Sequence, residues 1–163
     1  DYCAGGGGKT LALAARLPGA RIYAHDADPG RMSDLPQRAE RAGAEVTVTR
    51  QPEGVFDLVM ADVPCSGSGA WRRAPEGKWR LTEDRLTDLQ GIQQGILATC
   101  ADLVAPAGCL AYATCSVLAA ENEKQIARFL AERPDWRRGP SRQFLPSDGG
   151  DGFFVCCLIS GHA

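Results

Sequence analysis

The sequence predicts an α/β fold with a mostly parallel sheet and helices on both faces. Three observations predict it. Short β-rich runs alternate with stretches of helical length, the mark of strand–helix–strand units. One run, Phe56 to Ala61 (FDLVMA), is apolar almost throughout, as a strand covered on both faces must be. Residues able to do chemistry lie just beyond strand ends, where open α/β sheets hold their ligands.

The elements follow in order. Thr10 to Leu17 reads as a helix starting straight after a glycine run, and Arg21 to His25 (RIYAH) as a strand ending at Asp26. Gly30 to Ala42 has a helical pattern that Pro36 should break or delay, because proline lacks the amide donor. Glu45 to Thr49 alternates like a strand. Beyond Phe56 to Ala61, residues 66–81 read as a long basic loop. A helix follows from about Glu83 to Ala105. Its apolar positions Leu86, Leu89, Ile96, Leu97, Cys100, Leu103 and Val104 fall near the 3.6-residue period, and Pro106 and Gly108 stop it. Cys109 to Thr114 is a further strand, and Phe153 to Ile159 the last. Between them, Ala119 to Arg133 is a helix with Ile126, Phe129 and Leu130 on one face.

The chain has 163 residues, 44% hydrophobic and 23% charged, which suits one globular domain. This composition excludes a disordered tail, a collagen-like fibre and a disulfide-stapled miniprotein. No apolar run approaches the ~20 residues of a membrane span. With 18 basic and 20 acidic residues, overall charge does not announce a nucleic-acid binder. The seven cysteines (Cys3, Cys65, Cys100, Cys109, Cys115, Cys156, Cys157) cannot all pair within the chain. None forms C-x-x-C, and His25 and His162 join no ligand pattern, so no metal site is expected. Cys100, Cys109, Cys156 and Cys157 read as reduced thiols packed as small hydrophobes.

The opening stretch, Cys3-Ala4-Gly5-Gly6-Gly7-Gly8-Lys9-Thr10, lets backbone approach a ligand closely at a helix N-terminus. Gly8-Lys9-Thr10 mimics the end of a triphosphate-binding loop, but that motif needs glycine where Cys3 stands. A merely structural turn is a second reading. The third is a nucleotide-type site, since Asp26 ends the next strand where a ribose-binding carboxylate belongs; AdoMet and NAD both fit.

Cys65 follows one strand end (Asp62-Val63-Pro64-Cys65-Ser66-Gly67-Ser68-Gly69), and Cys115 closes another (Ala113-Thr114-Cys115-Ser116). Two inert thiols or a disulfide are one reading. Covalent base chemistry is the other. Carbon 5 of cytosine is a poor nucleophile until a thiolate adds at carbon 6 and makes it enamine-like. A second group must then help strip the carbon-5 proton so that the thiol can leave, and a carboxyl such as Asp62 could stabilise the charge that develops on the base.

At these motifs the sequence resembles the Sun (Fmu) family of RNA cytosine-5 methyltransferases, over essentially the whole chain. The resemblance is carried by CAGGGGKT, HDAD with Arg31, DLVMADVPCSGSGAWRRAPEGKW, LQGIQQGIL, YATCSVLAAEN and GGDGFF, with the two cysteines 50 residues apart. It implies a Rossmann-like fold dependent on S-adenosyl-L-methionine (AdoMet), in a cytoplasmic, monomeric enzyme acting on RNA, of ribosomal origin, with neither metal nor membrane. Cys3, Ala4, Gly5, Gly6, Gly7, Gly8 and Lys9 match the AdoMet loop, and Asp26 matches the ribose-binding acid, with Arg31 in the same cofactor set. Asp62 matches the acid beside methyl donor and target base. Cys115 matches the nucleophile, and Cys65 the thiol that assists release. DNA enzymes use the cysteine of Pro-Cys instead, so Thr114-Cys115-Ser116 favours the RNA version.

Three departures stand out. Gly5 and Gly6 replace the family's Ala and Pro, which loosens the loop and is expected to weaken AdoMet binding. The family's acid after the third strand is missing, with Glu53 the nearest substitute. The stretch from Asp26 to Asp62 is short. The altered glycine loop and the missing acid support a second reading, a non-catalytic AdoMet- or RNA-binding module. The resemblance also implies a catalytic-domain fragment: the family runs a central strand into the acid matched by Asp1, so that strand and an N-terminal RNA-binding region would lie upstream. In the basic loop, Arg72, Arg73, Lys78 and Arg80 are candidate RNA-phosphate contacts, with Trp71 and Trp79 stacking near an unpaired base. Alternatively the loop is simply solvated and its tryptophans pack on the core.

Overall fold

A computed structural model describes residues 1–161; His162 lies outside them. The chain divides into two compact units, Asp1–Gly54 and the portion from Val55 onward.

The first unit runs α1 (Gly8–Arg16), β1 (Ile22–Ala24), a 3-10 turn (Pro29–Met32), α2 (Leu35–Arg41) and β2 (Val46–Val48). The strands are parallel, with Tyr23 opposite Thr47. Ala4, Ala24, Met32 and Leu35 form the core, with Leu11 and Val46 packed against it. Pro36 delays α2 as expected. It sits in the first helical turn, where its missing N–H removes no helical bond. Residues 49–55 hold no regular element, in keeping with the short stretch read from the sequence. On the edge of β1 away from β2, the Asp1 amine donates to the Tyr23 carbonyl (2.8 Å), and the His25 amide to that of Asp1 (2.9 Å). This is the bonding of a parallel neighbour.

The second unit runs β3 (Phe56–Asp62), a 3-10 turn (Ser68–Ala70), α3 (Glu76–Arg80), α4 (Glu83–Asp102) and β4 (Val104–Thr114). It continues with α5 (Glu123–Glu132), β5 (Trp136–Phe144), a second 3-10 turn (Pro146–Asp148) and β6 (Phe153–Ser160). The sheet order is β3-β4-β6-β5. β3 and β4 are parallel, while β6 is antiparallel to both β4 and β5. The α/β class stands, with more antiparallel pairing than the sequence pattern weighted. Leu110, Tyr112, Phe154, Cys156 and Leu158 are fully buried on one face of this sheet. The Tyr112 hydroxyl reaches the Glu121 carbonyl just before α5 (2.7 Å), so α5 lies over that face. The opposite face, with Cys109, Ala111, Val155, Cys157 and Ile159, stays half-buried.

Several assignments differ from the sequence reading. The "basic loop" contains a 3-10 turn and α3. α4 ends at Asp102, and β4 begins at Val104 rather than Cys109. Phe56 pairs with Val104 and Leu58 with Cys109, so residues 105–108 loop out opposite Asp57, carrying Pro106 and Gly108 inside the strand. α5 starts at Glu123 rather than Ala119, because Glu121 and Asn122 are drawn into side-chain bonds described below. β5 was not anticipated. It carries Gly139 and Pro140 at a register shift between Arg138 and Ser141, on a charged edge that lacks hydrophobic alternation.

Burial, then the neighbouring Cys157, pushes the Cys109 thiol up to about 12. The folded chain therefore keeps a proton that the unfolded chain releases at lower pH. The stability this contributes is full below the ordinary thiol range and is lost as pH rises toward 12. Cys109→Ala should flatten that part of the stability profile measured by urea denaturation. In the same assay at neutral pH, Phe154→Ala should cost about 3–5 kcal/mol. Exposed Arg137→Ala should cost less than about 0.5 kcal/mol.

Candidate active site

The glycine loop and Asp26 meet within the first unit. Asp26 is 4% exposed, and both of its oxygens accept bonds. The Gly5 amide donates to Oδ2 (2.8 Å), the Asp28 amide to Oδ1 (3.0 Å), and exposed Arg31 lies 3.3 Å from Oδ2. Gly5 has φ +52°, and a Cβ there would sit 3.0 Å from the Arg31 guanidinium. The extra glycine is therefore used: it turns the loop so that its amide faces Asp26. This qualifies the expectation of a merely loosened loop. Ala4 and Gly7 are buried, Cys3 is half-buried, and Gly6, Gly8 and Lys9 are exposed. Glu53, the residue nearest to where the missing acid was expected, is exposed in the irregular stretch after β2.

In the second unit, parallel pairing sets Asp62 opposite Ala113. The chains leaving β3 and β4 thus run side by side, and the two thiols meet with Cys65 Sγ 3.3 Å from Cys115 Sγ. Cys115 is exposed, Cys65 is half-buried, and Asp62 is half-buried at the end of β3. The hydrogen bond to Cys115, then burial, raises the Cys65 thiol far above the ordinary thiol range. Such a pair offers one sulfur to an incoming molecule and keeps the other as a protonated thiol beside it.

Beneath the thiols lies a buried polar cluster that the sequence reading missed. Glu121 is 0% exposed. Its carboxylate accepts from the Ser66 amide (2.8 Å), the Ser66 hydroxyl (2.5 Å), the Ser116 hydroxyl (2.6 Å) and the Gln93 side chain (3.1 Å). Asn122 donates to the Ser116 carbonyl (2.9 Å) and accepts from Thr114 Oγ1 (2.6 Å). Two signals were available. Gln93 is a polar residue on the Leu89–Leu97 stripe of α4, and each cysteine is followed by serine.

Of the basic residues, Arg73 is held by Asp151, with Arg72 at 3.5 Å from the same carboxylate. Beside them, the Gly152 amide donates to the Gly69 carbonyl (2.9 Å), and the Gly69 amide to that of Cys115 (3.0 Å). A Cβ on Gly69 would overlap the Gly152 carbonyl, so only glycine permits this approach. Lys78 and Arg80 are exposed on α3. Trp71 is half-buried, whereas Trp79 is 81% exposed, which overturns the reading that both tryptophans pack on the core.

Solved structures share this fold. The crystal structure of PH0851 is 34% identical with a TM-score of 0.87, covering 93% of this chain and 40% of that one. A methyltransferase homolog protein from Pyrococcus horikoshii is 25% identical with a TM-score of 0.81, covering 96% and 59%. These likenesses define the class as the Rossmann-like fold of AdoMet-dependent methyltransferases. A family model described as 16S rRNA methyltransferase RsmB/F matches residues 1–159, and the chain belongs to that family. Ribosomal RNA small subunit methyltransferase B of Salmonella arizonae is 38% identical over an alignment 176 positions long that covers 98% of this chain and 41% of that relative. The chain thus spans about two-fifths of the length of the curated relatives it matches.

Brief iodoacetamide treatment near neutral pH should label Cys115 at least about tenfold faster than Cys65, because only a thiolate reacts and Cys65 keeps its proton. Peptide mass mapping reads the two sites, and equal labelling would contradict the division between them.

Proposed function

We propose that the chain is the catalytic domain of an AdoMet-dependent enzyme that forms 5-methylcytosine in small-subunit ribosomal RNA. The observation that carries this reading is the pair of thiols in contact at adjacent strand ends, one exposed and one kept protonated. Cys115 adds as thiolate to carbon 6 of cytosine, which makes carbon 5 nucleophilic. Asp62 hydrogen-bonds the base and stabilises its developing charge. Once carbon 5 has taken the methyl group, the Cys65 thiol protonates the departing Cys115 sulfur, and the Cys65 thiolate so formed takes the carbon-5 proton as the Cys115–carbon 6 bond breaks.

AdoMet, when bound, supplies the electrophilic methyl group. The first unit fits such a group. The loop from Gly5 to Gly7 leaves backbone bare ahead of α1, and Asp26 lies two residues beyond the end of β1. Each oxygen of Asp26 has two acceptor sites, so ribose hydroxyls can take the place of the exposed Arg31 guanidinium. Cys3, Ala4 and Lys9 complete the cofactor set. Arg72, Lys78 and Arg80 contact RNA phosphates, and Arg73 joins them when it leaves Asp151. Cytoplasmic location and action as a monomer belong to the same reading.

The full-length protein, given AdoMet with a labelled methyl group and unmodified small-subunit RNA, should place label on cytosine carbon 5. Cys115→Ala should lower the rate at least about a thousandfold. Asp26→Ala should weaken AdoMet binding about tenfold or more by calorimetry, the loss of two charge-assisted hydrogen bonds. Label on another base, or full activity in Cys115→Ala, would refute the proposal.

A further inference from the structure

Glu121 lies outside the reaction just described, yet its buried carboxylate accepts four hydrogen bonds. Burying a carboxylate is costly unless its oxygens are satisfied, and here neutral donors satisfy both. Their identity is informative. Oε2 receives the hydroxyls of Ser66 (2.5 Å) and Ser116 (2.6 Å), the residues that immediately follow Cys65 and Cys115. Oε1 receives the Ser66 amide (2.8 Å) and Gln93 (3.1 Å), and Gln93 also holds the Pro64 carbonyl (2.9 Å) just before Cys65. One carboxylate therefore grips both cysteine turns, whose serines are 50 residues apart in sequence. Glu121 is itself fixed, because Tyr112 bonds its carbonyl and neighbouring Asn122 is bound on both sides of its amide group.

We propose that Glu121 is a positioning residue: through Ser66 and Ser116 its carboxylate locks the two cysteine turns together and sets the spacing of the two thiols. The proposal rests on the two-cysteine reading above. It makes Glu121 matter most for the step in which one thiol must act beside the other, and less for RNA binding.

The test measures thiol spacing directly. In glutathione buffers the protein dithiol reacts with glutathione disulfide to give the Cys65–Cys115 disulfide and two molecules of glutathione. Peptide mass mapping reads the oxidised fraction in the full-length protein. Glu121→Ala should shift this equilibrium toward the reduced form by about tenfold or more, as effective concentration falls with lost positioning. Glu121→Gln keeps one oxygen for both hydroxyls, but its amide nitrogen cannot accept from the Ser66 amide or Gln93, so its coupling should fall between wild type and Glu121→Ala. Phe129→Ala, a core truncation in α5, controls for general destabilisation and should leave the coupling unchanged. In methylation assays Glu121→Ala should lower kcat with little change in KM for RNA. Wild-type coupling in folded Glu121→Ala, or an equal drop in Phe129→Ala, would overturn the proposal. If Glu121→Ala does not fold, Ser66→Ala decides: reduced coupling supports the proposal and wild-type coupling refutes it. The coupling needs neither RNA nor AdoMet, so it stands or falls separately from the methylation assay.

Discussion

A buried carboxylate that accepts bonds from both cysteine turns is the constraint on which the second unit depends. Its four acceptor bonds join α4, the turn after β3 and the turn after β4 to one point. Such a group tolerates little error, because each bond lost leaves a charged oxygen unsatisfied in a low-dielectric setting. The same demand fixes the start of α5 at Glu123: residues 119–122 forgo helical geometry so that Glu121 and Asn122 can turn inward.

The sheet supplies the other half of the arrangement. Only parallel pairing of β3 with β4 lets two chain ends leave on the same side, and their register sets Asp62 level with Ala113. Cys65 and Cys115 each follow within three residues of that level. The close approach of Gly69 to Gly152 brings the β5–β6 connection alongside, where Asp151 holds Arg73. The thiols, the buried cluster and part of the basic segment are thus one mechanical unit. The two sulfurs differ in exposure because of it, and the bond to Cys115 together with burial holds the Cys65 thiol in its protonated form.

Much of this was legible in the sequence where local chemistry dominates. The Gly loop, Asp26, and the Pro-Cys and Thr-Cys-Ser turns announce themselves through residue types that serve strand ends and turns. Pro36 was read correctly as a delay. What stayed hidden was settled by tertiary contact. β5 carries arginines, Gly139 and Pro140, and its main apolar anchor is Trp136, which packs edge-on against Phe129 at 5.4 Å. Gln93 and Glu121 stand inside quoted motifs, LQGIQQGIL and YATCSVLAAEN, but no role was assigned to either. Each is polar where a hydrophobe is expected, and only the folded chain shows the partner that accounts for it.

The central claim is that the two thiols have unequal jobs: Cys115 forms the bond to the base and Cys65 helps break it. The most direct measurement is to incubate the full-length Cys65→Ala protein with target RNA and AdoMet, denature it, digest it and map any attached nucleotide by tandem mass spectrometry. The account predicts a cytosine nucleotide, methylated at carbon 5, held on Cys115 and absent when Cys115 is also replaced. No stable adduct, or a nucleotide on any other residue, would contradict it.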